Sequence, residues 1–223
     1  MDAGGAFSAE HRIMLRRLFG IGWACAAIAP AWARPCRAEC DGGPSHTALV
    51  HARHDFDELA HDTAALPADE RIAFANLAIN RLVGYAPDDE LGAVDVWLTP
   101  VETLARGRGD CEDIAIAKFF LLIAAGVAPA ELRLLYSRRR SAVRPGQARA
   151  HVVTLACHSC GDPLVLDNLA PAALPVSQRG DLDAVFSFDR EQIWAGVDGP
   201  CRGRAAERLR PWRDLLGRMA LQH

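Results

Sequence analysis

Gly107-Arg-Gly-Asp-Cys-Glu-Asp-Ile-Ala-Ile-Ala-Lys-Phe-Phe-Leu-Leu-Ile-Ala-Ala-Gly126 is the stretch on which the fold turns. A turn broken by glycines runs into a long apolar helix, and Cys111 stands at the join. Ile114, Ala115, Lys118, Phe119 and Leu122 follow Cys111 at helical spacing, while Ile116, Phe120 and Ile123 make the opposite side apolar as well. A helix that is apolar nearly all round belongs in the middle of a domain. Gly126 fits the position just past its C-terminal end.

Cys111 therefore falls in the first turn of a buried helix. Unpaired N–H groups and the positive end of the helix dipole favour a thiolate there, which makes a thiol nucleophilic near neutral pH. Position alone is equally compatible with a small buried hydrophobe. Asp110, Glu112 and Asp113 flank the cysteine. Acids in a first turn often only complement the dipole, but three carboxylates within four positions can also hold a hard cation such as calcium. Their charge raises the pKa of an adjacent thiol, and a bound cation would relieve that penalty.

The rest of the chain supplies partners for Cys111. Of 223 residues half are hydrophobic, which suits one globular domain with a real core. The apolar spacing predicts a helix over 48–65 and a second from Pro67 to Gly84. An irregular acidic segment follows over 85–98, and Thr99-Pro-Val-Glu102 reads as a short helical turn. After the central helix the period becomes that of strands: 132–138, 150–157, 163–169 and 185–188. A helix over 203–221 closes the chain, with Leu209, Trp212, Leu215, Leu216 and Met219 on one side. Helices first and antiparallel strands after them define an α+β fold.

Gly161-Asp162-Pro163 marks a tight connection, so 150–157 and 163–169 form a hairpin. Centring it near Cys160 sets Ala156 opposite Leu164 and Val153 opposite Asp167. His151, on the face of Val153, is then a diagonal neighbour of Asp167, about 7–8 Å away at Cα and within reach of an imidazole and a carboxylate. A cysteine at a helix N-terminus with His and Asp on adjoining strands is an arrangement for nucleophilic catalysis. Each member also has a plain structural reading: a surface histidine, or an Asp-Asn pair that ends a strand in a turn.

Residues 1–33 read as a signal peptide. Arg12, Arg16 and Arg17 form its positive start, Leu18 to Ala33 carries no charge, and Ala31-Trp32-Ala33 has the form of a cleavage site. This predicts cleavage after Ala33 and export, with a linker over 34–45 and a single domain over 46–223. Export makes disulfides the expected state of the cysteines. Cys157-His-Ser-Cys160 fits a turn disulfide or, with Cys36 and Cys40, half a zinc site. A net charge of −3 gives no electrostatic case for nucleic acid as a partner. The Arg138-Arg139-Arg140 triplet reads as a solvated strand end or loop rather than a binding patch. Lys118 is the only lysine. There is no GxSxG, HExxH or P-loop pattern, so serine hydrolase, zincin and NTPase readings have no support.

Taken together the motifs resemble a known family, the bacterial transglutaminase-like cysteine proteinases, whose best-known kind is a periplasmic adhesin protease. The matching stretches are Asn76-Leu-Ala-Ile-Asn80, Asp95-Val-Trp-Leu-Thr-Pro-Val-Glu102, Gly107 to Lys118, Ala150-His-Val-Val153, Leu164-Val-Leu-Asp-Asn-Leu169 and Phe186-Ser-Phe188. The resemblance implies a papain/transglutaminase-like fold, with N-terminal helices and a central buried helix packed on an antiparallel sheet. It implies a triad of Cys111, His151 and Asp167, and calcium held by Asp110, Glu112 and Asp113. It further implies a periplasmic, calcium-dependent cysteine endopeptidase that cuts the N-terminal region of a large surface adhesin at a paired-alanine site, releasing it and dispersing biofilm. An inner-membrane receptor for cyclic di-GMP would be the inhibitory partner. The resemblance implies that the extra cysteines lie outside the family pattern and staple the hairpin tip. Two other readings share the scaffold: an amidase or acyltransferase using the same triad, and a non-catalytic binding module. Trp97 reads either as a core residue or as an exposed anchor for a partner.

Overall fold

The computed structural model describes residues 43–87, 96–141, 143–144 and 146–221. The expected signal peptide, Cys25, Cys36, Cys40, most of the linker, and Asp88, Asp89, Glu90 and Asp95 lie outside the described residues. No helix among the described residues is long and apolar enough to cross a membrane.

The chain enters on α1 (His46–Ala64), where Ser45, at the end of the expected linker, serves as N-cap by accepting Ala48 N–H. Helix α2 (Ala68–Leu82) starts after Pro67 with Asp69 and Glu70 in its first turn, acids that suit the positive end of the dipole. Strand β1 (Gly84–Tyr85) follows. The expected turn at Thr99 is a two-turn helix, α3 (Pro100–Arg106), closed by a capping box in which Thr99 and Glu102 serve each other's backbone N–H. Strand β2 (Arg108–Gly109) pairs parallel with β1 and sets Tyr85 beside Gly109.

Helix α4 (Cys111–Ala124) is the expected central helix, and ten of its residues from Asp113 to Leu122 are buried in an unbroken run. Gly126, two residues past its end, has a φ of 84°, a left-handed turn that carries the chain away from the helix. The strands then form one antiparallel sheet in the order β6-β5-β4-β3-β7-β8-β9. They are β3 (Leu132–Arg140), β4 (Ala148–Ala156), β5 (Leu164–Leu166), β6 (Leu174–Pro175), β7 (Leu182–Phe188), β8 (Gln192–Ala195) and β9 (Cys201–Arg204). The register of β4 and β5 is the expected one, with Ala156 opposite Leu164 and Thr154 opposite Leu166. Helices lie ahead of an antiparallel sheet, with a buried helix against it, so the fold is the α+β arrangement read from the sequence.

The structure also departs from the sequence reading in its second half. Strand β5 stops at Leu166, because Asp167 turns inward and the backbone N–H of Leu169 bends back to its carboxylate. The short strands β6, β8 and β9 carry too little alternation to announce themselves. The closing helix is two pieces, α5 (Ala205–Arg208) and α6 (Arg210–Leu221), with Leu209 extended between them. Pro211 fits the break, since it cannot donate to the turn before it and is tolerated in the first turn of a new helix.

Trp212 of α6 is completely buried. It packs edge-on to Trp97, Phe119 and Phe188 and stacks on Phe120. Trp97 stacks on Phe188 as well, and its carbonyl accepts a bond from Arg218. Trp97 is thus a core residue and not an exposed anchor.

Candidate active site

Three elements bring the site together: the first turn of α4, the start of β4, and the chain leaving β5. Asp110 caps α4 by accepting Asp113 N–H at 3.0 Å, which fixes Cys111 as the first helical residue. One turn on, Thr154 Oγ of β4 donates to the Ala115 carbonyl at 2.7 Å and locks helix and strand in one register. His151 is pinned in turn by Ser137 of β3, whose hydroxyl donates to the His151 carbonyl at 3.0 Å. The Cys111 thiol lies against the backbone N–H of Val152, the residue after His151.

His151 and Asp167 meet as the register requires. Nε2 of His151 lies 2.9 Å from Oδ1 of Asp167, and both side chains are buried. That bond occupies one ring nitrogen and leaves Nδ1 as the other. The Asp167 carboxylate is fully enclosed, and burial alone would raise its pKa. Hydrogen bonds from His151, Leu169 N–H and Arg179, with the charge of His151, outweigh burial and hold it well below the usual carboxylate range.

Behind this pair lies a polar layer to which the sequence reading gave no role. Arg179 Nη2 donates to Asp167 Oδ2 at 2.7 Å. Asn80 of α2 donates to the Asp167 carbonyl at 2.9 Å, and Asn76, one turn earlier, donates to the carbonyls of Ala170 and Pro171. Lys118, entirely buried, donates from Nζ to Asn76 Oδ1 at 2.8 Å. Burial lowers the Lys118 pKa to about 7, with the charge of Asp167 opposing. Two asparagines four apart on one face of an apolar helix were the available signal. Arg179 sits in a loop with no pattern around it.

The acids beside Cys111 divide into two kinds. Asp113 turns into the protein, where its Oδ1 accepts Leu98 N–H at 2.8 Å. It fills the space beside Gly109, where a Cβ would sit 2.8 Å from the Asp113 side chain, so that position requires glycine. Asp110 and Glu112 stay beside Cys111 and are hydrogen-bonded to each other. Burial and then the charge of Glu112 raise the Asp110 pKa to about 7. The Cys111 thiol donates to Glu112 Oε2 at 2.8 Å. Its pKa is raised by burial first, then by the Glu112 charge and hydrogen bond, and by Asp110. Among the described residues no three of His, Cys, Asp and Glu converge as a closed metal set. Of the expected trio, Asp110 and Glu112 lie beside Cys111, while Asp113 is turned inward to the Leu98 N–H.

Half-exposed Tyr85, delivered by β1, lies within electrostatic reach of Cys111, Asp110 and Glu112. Its phenol pKa is raised by burial, then by Cys111, Asp110 and Glu112, with Arg149 opposing. At the hairpin tip Cys157 and Cys160 form a disulfide, so that pair is a turn disulfide and not half a zinc site. Cys111 and the exposed Cys201 are free thiols.

The family model of the bacterial transglutaminase-like cysteine proteinases matches residues 52–182, a span that runs from within α1 to the first residue of β7 and holds Cys111, His151, Asp167 and Arg179. The chain belongs to that family. Solved structures of LapG from Legionella pneumophila are similar to it. The EGTA-treated form is 30% identical, with a TM-score of 0.66, over 78% of this chain and 96% of that one. The calcium-bound form is 31% identical, with a TM-score of 0.63, over 80% and 92%. A further LapG structure is 29% identical, with a TM-score of 0.64, over 78% and 94%. No curated protein matches the chain. The fold of this family member is the transglutaminase-like cysteine proteinase fold, and the chain is a LapG-like cysteine proteinase.

Proposed function

We propose that this proteinase is a periplasmic, calcium-dependent endopeptidase with Cys111 as nucleophile, His151 as base and Asp167 as the group that orients the base. The observation that carries the reading is the 2.9 Å bond between His151 Nε2 and Asp167 Oδ1, on the strand against which the Cys111 helix is locked. Nδ1 of His151 takes the proton from Cys111 Sγ, and the sulfur attacks the scissile carbonyl carbon. Asp167 holds the imidazole in the tautomer that accepts at Nδ1 and stabilises the imidazolium. Backbone N–H groups at the start of α4, that of Cys111 included, meet the developing oxyanion. The imidazolium then protonates the leaving amine, and His151 draws a proton from the water that releases the acyl group from sulfur.

Asp110 and Glu112 fit a hard cation. They are two adjacent carboxyls, partly buried, repelling one another and holding a proton on the thiol. Calcium bound there would supply positive charge that favours the thiolate. Asp113 would brace the loop from inside, as its bond to Leu98 does now. That a LapG structure is calcium-bound supports calcium as the cation.

Family membership is also the support for the substrate: the N-terminal region of a large surface adhesin, cut at a paired-alanine site so that the adhesin is released and biofilm disperses. Regulation would come from an inner-membrane receptor that binds cyclic di-GMP and sequesters the proteinase through its periplasmic domain. The test is incubation of the purified protein with an adhesin fragment containing a paired-alanine site, with calcium or EGTA, beside Cys111→Ala. The expected result is one cut that needs calcium and Cys111. A fully active Cys111→Ala removes the mechanism. Absence of a cut by folded protein removes the substrate assignment.

A further inference from the structure

The mechanism above uses one oxygen of Asp167, and the other is held as firmly. Oδ1 accepts from His151 Nε2 and from Leu169 N–H, while Oδ2 accepts from Arg179 Nη2 at 2.7 Å. Arg179 is 8% exposed and lies just past the short helical turn Val176–Gln178. It is braced from outside by Asp181, which accepts from Nε at 2.9 Å and from Nη2 at 3.0 Å.

Two consequences follow from this geometry. A carboxylate turns readily about its last torsion. A guanidinium on Oδ2 stops that turn and keeps Oδ1 aimed at the imidazole. A carboxylate shut away from water also tends to take up a proton unless a cation compensates it. His151 of β4 and Arg179 are the charged or titratable groups in contact with Asp167 among the described residues. Lys118 of α4 acts on it from farther off, and its ammonium is bonded to Asn76 instead. Asp181 lies beyond Arg179. Arg179 is thus the permanent positive charge on Asp167, since the imidazole gains and loses its charge during turnover.

We infer that Arg179 is a positioning residue of the active site, clamping Asp167 Oδ2 so that Asp167 stays an anion pointed at His151 Nε2 through the catalytic cycle and on acidification. This rests on the triad reading above. It adds that the orienting acid works as a pair, and that the loop carrying Arg179 belongs to the catalytic apparatus.

The test measures kcat and KM against pH for the full protein with saturating calcium and the adhesin fragment. Proton NMR of the His151 Nε2–H, identified by its loss in His151→Ala, gives a reading that does not depend on turnover. Arg179→Gln is expected to lower kcat about 10- to 100-fold near neutral pH, with KM changed less than about threefold. It should add an acidic limb that the parent lacks and lose the Nε2–H signal over the same pH range. Arg179→Lys, which keeps the charge, should restore the parental pH profile and part of kcat. Asp181→Asn removes the outer brace, together with an ion pair to Arg139 at 3.5 Å, and should cost a few-fold in kcat in the same direction. It carries the test if Arg179→Gln does not fold. Parental kcat and pH profile in Arg179→Gln, beside an inactive Cys111→Ala, overturn the inference and leave the triad standing. A uniform fall in kcat with unchanged pH profile and Nε2–H signal also overturns it, since that is what a structural role alone produces. An active Cys111→Ala would instead fault the triad, and the NMR signal would still report on Arg179.

Discussion

The hydroxyl of Thr154 donates a 2.7 Å hydrogen bond to the carbonyl of Ala115, and that bond ties the helix that begins at Cys111 to the strand that carries His151. Thr154 is three residues from His151 and Ala115 four from Cys111, so the bond sets how far apart sulfur and imidazole are held. Thr154→Val keeps the shape and removes the donor. It should cost about 1 kcal/mol of stability in urea denaturation. It should also lower kcat more than it changes KM. An unchanged kcat in a destabilised protein would make Thr154 a packing residue only.

Asp110 gives the calcium-free protein a recognisable pH response. Its folded pKa is raised from 3.8 to about 7, by burial and then by Glu112. The folded state therefore holds a proton that the unfolded chain has lost, and stability falls as pH rises through that window. The melting temperature in EGTA, taken as parent minus Asp110→Asn, should decline from about pH 4 to about pH 7. Calcium should flatten the decline. A difference independent of pH in EGTA would refute the buried, repelled state of Asp110.

Asn76 serves the Lys118 ammonium with its oxygen and two carbonyls of the 170–171 loop with its nitrogen. Asn76→Ala strands a buried lysine and releases the chain just past Asp167. The expected loss is about 2–3 kcal/mol, read by chemical denaturation. The double variant Asn76→Ala with Lys118→Met should recover part of it, because the uncompensated charge is gone. Failure to recover would place the cost in the released loop.

The disulfide at the hairpin tip closes a very short loop, Cys157 to Cys160. Loop-closure entropy then limits its contribution to about 2 kcal/mol. Replacing both cysteines by serine should lower the melting temperature modestly and leave kcat within about twofold, since the β4–β5 ladder fixes the register by itself. A large loss of activity would show that the tip, and not the ladder, aligns His151 with Asp167.

The parts of the site that were legible in the sequence are those with a period or a cap. Cys111 declared itself because a glycine-rich turn precedes a helix that is apolar all round. His151 and Asp167 did so because a tight turn at 161–163 fixes the pairing of two strands, and pairing fixes faces. Arg179 was invisible, since it comes from a loop with neither alternation nor helical spacing, and its partner is brought to it by tertiary packing alone. The inward turn of Asp113 was hidden for a related reason. Sequence adjacency to Asp110 and Glu112 does not report which way a first-turn side chain points, and the Leu98 N–H that turns it inward belongs to a distant segment. The break at Leu209 was legible in Pro211 but was outweighed by the long apolar stripe.

Lys118 has a further consequence. It carries the chain's sole side-chain amine, and that amine is sealed inside the protein against Asn76. An acyl group on Cys111 can therefore find no lysine on the folded molecule's own surface, so the protein cannot crosslink to a second copy of itself through an isopeptide bond. For the same reason amine-directed labels and crosslinkers should pass its side chains by until it unfolds. A sudden gain in lysine labelling would then report the moment at which the layer beneath the catalytic pair comes apart.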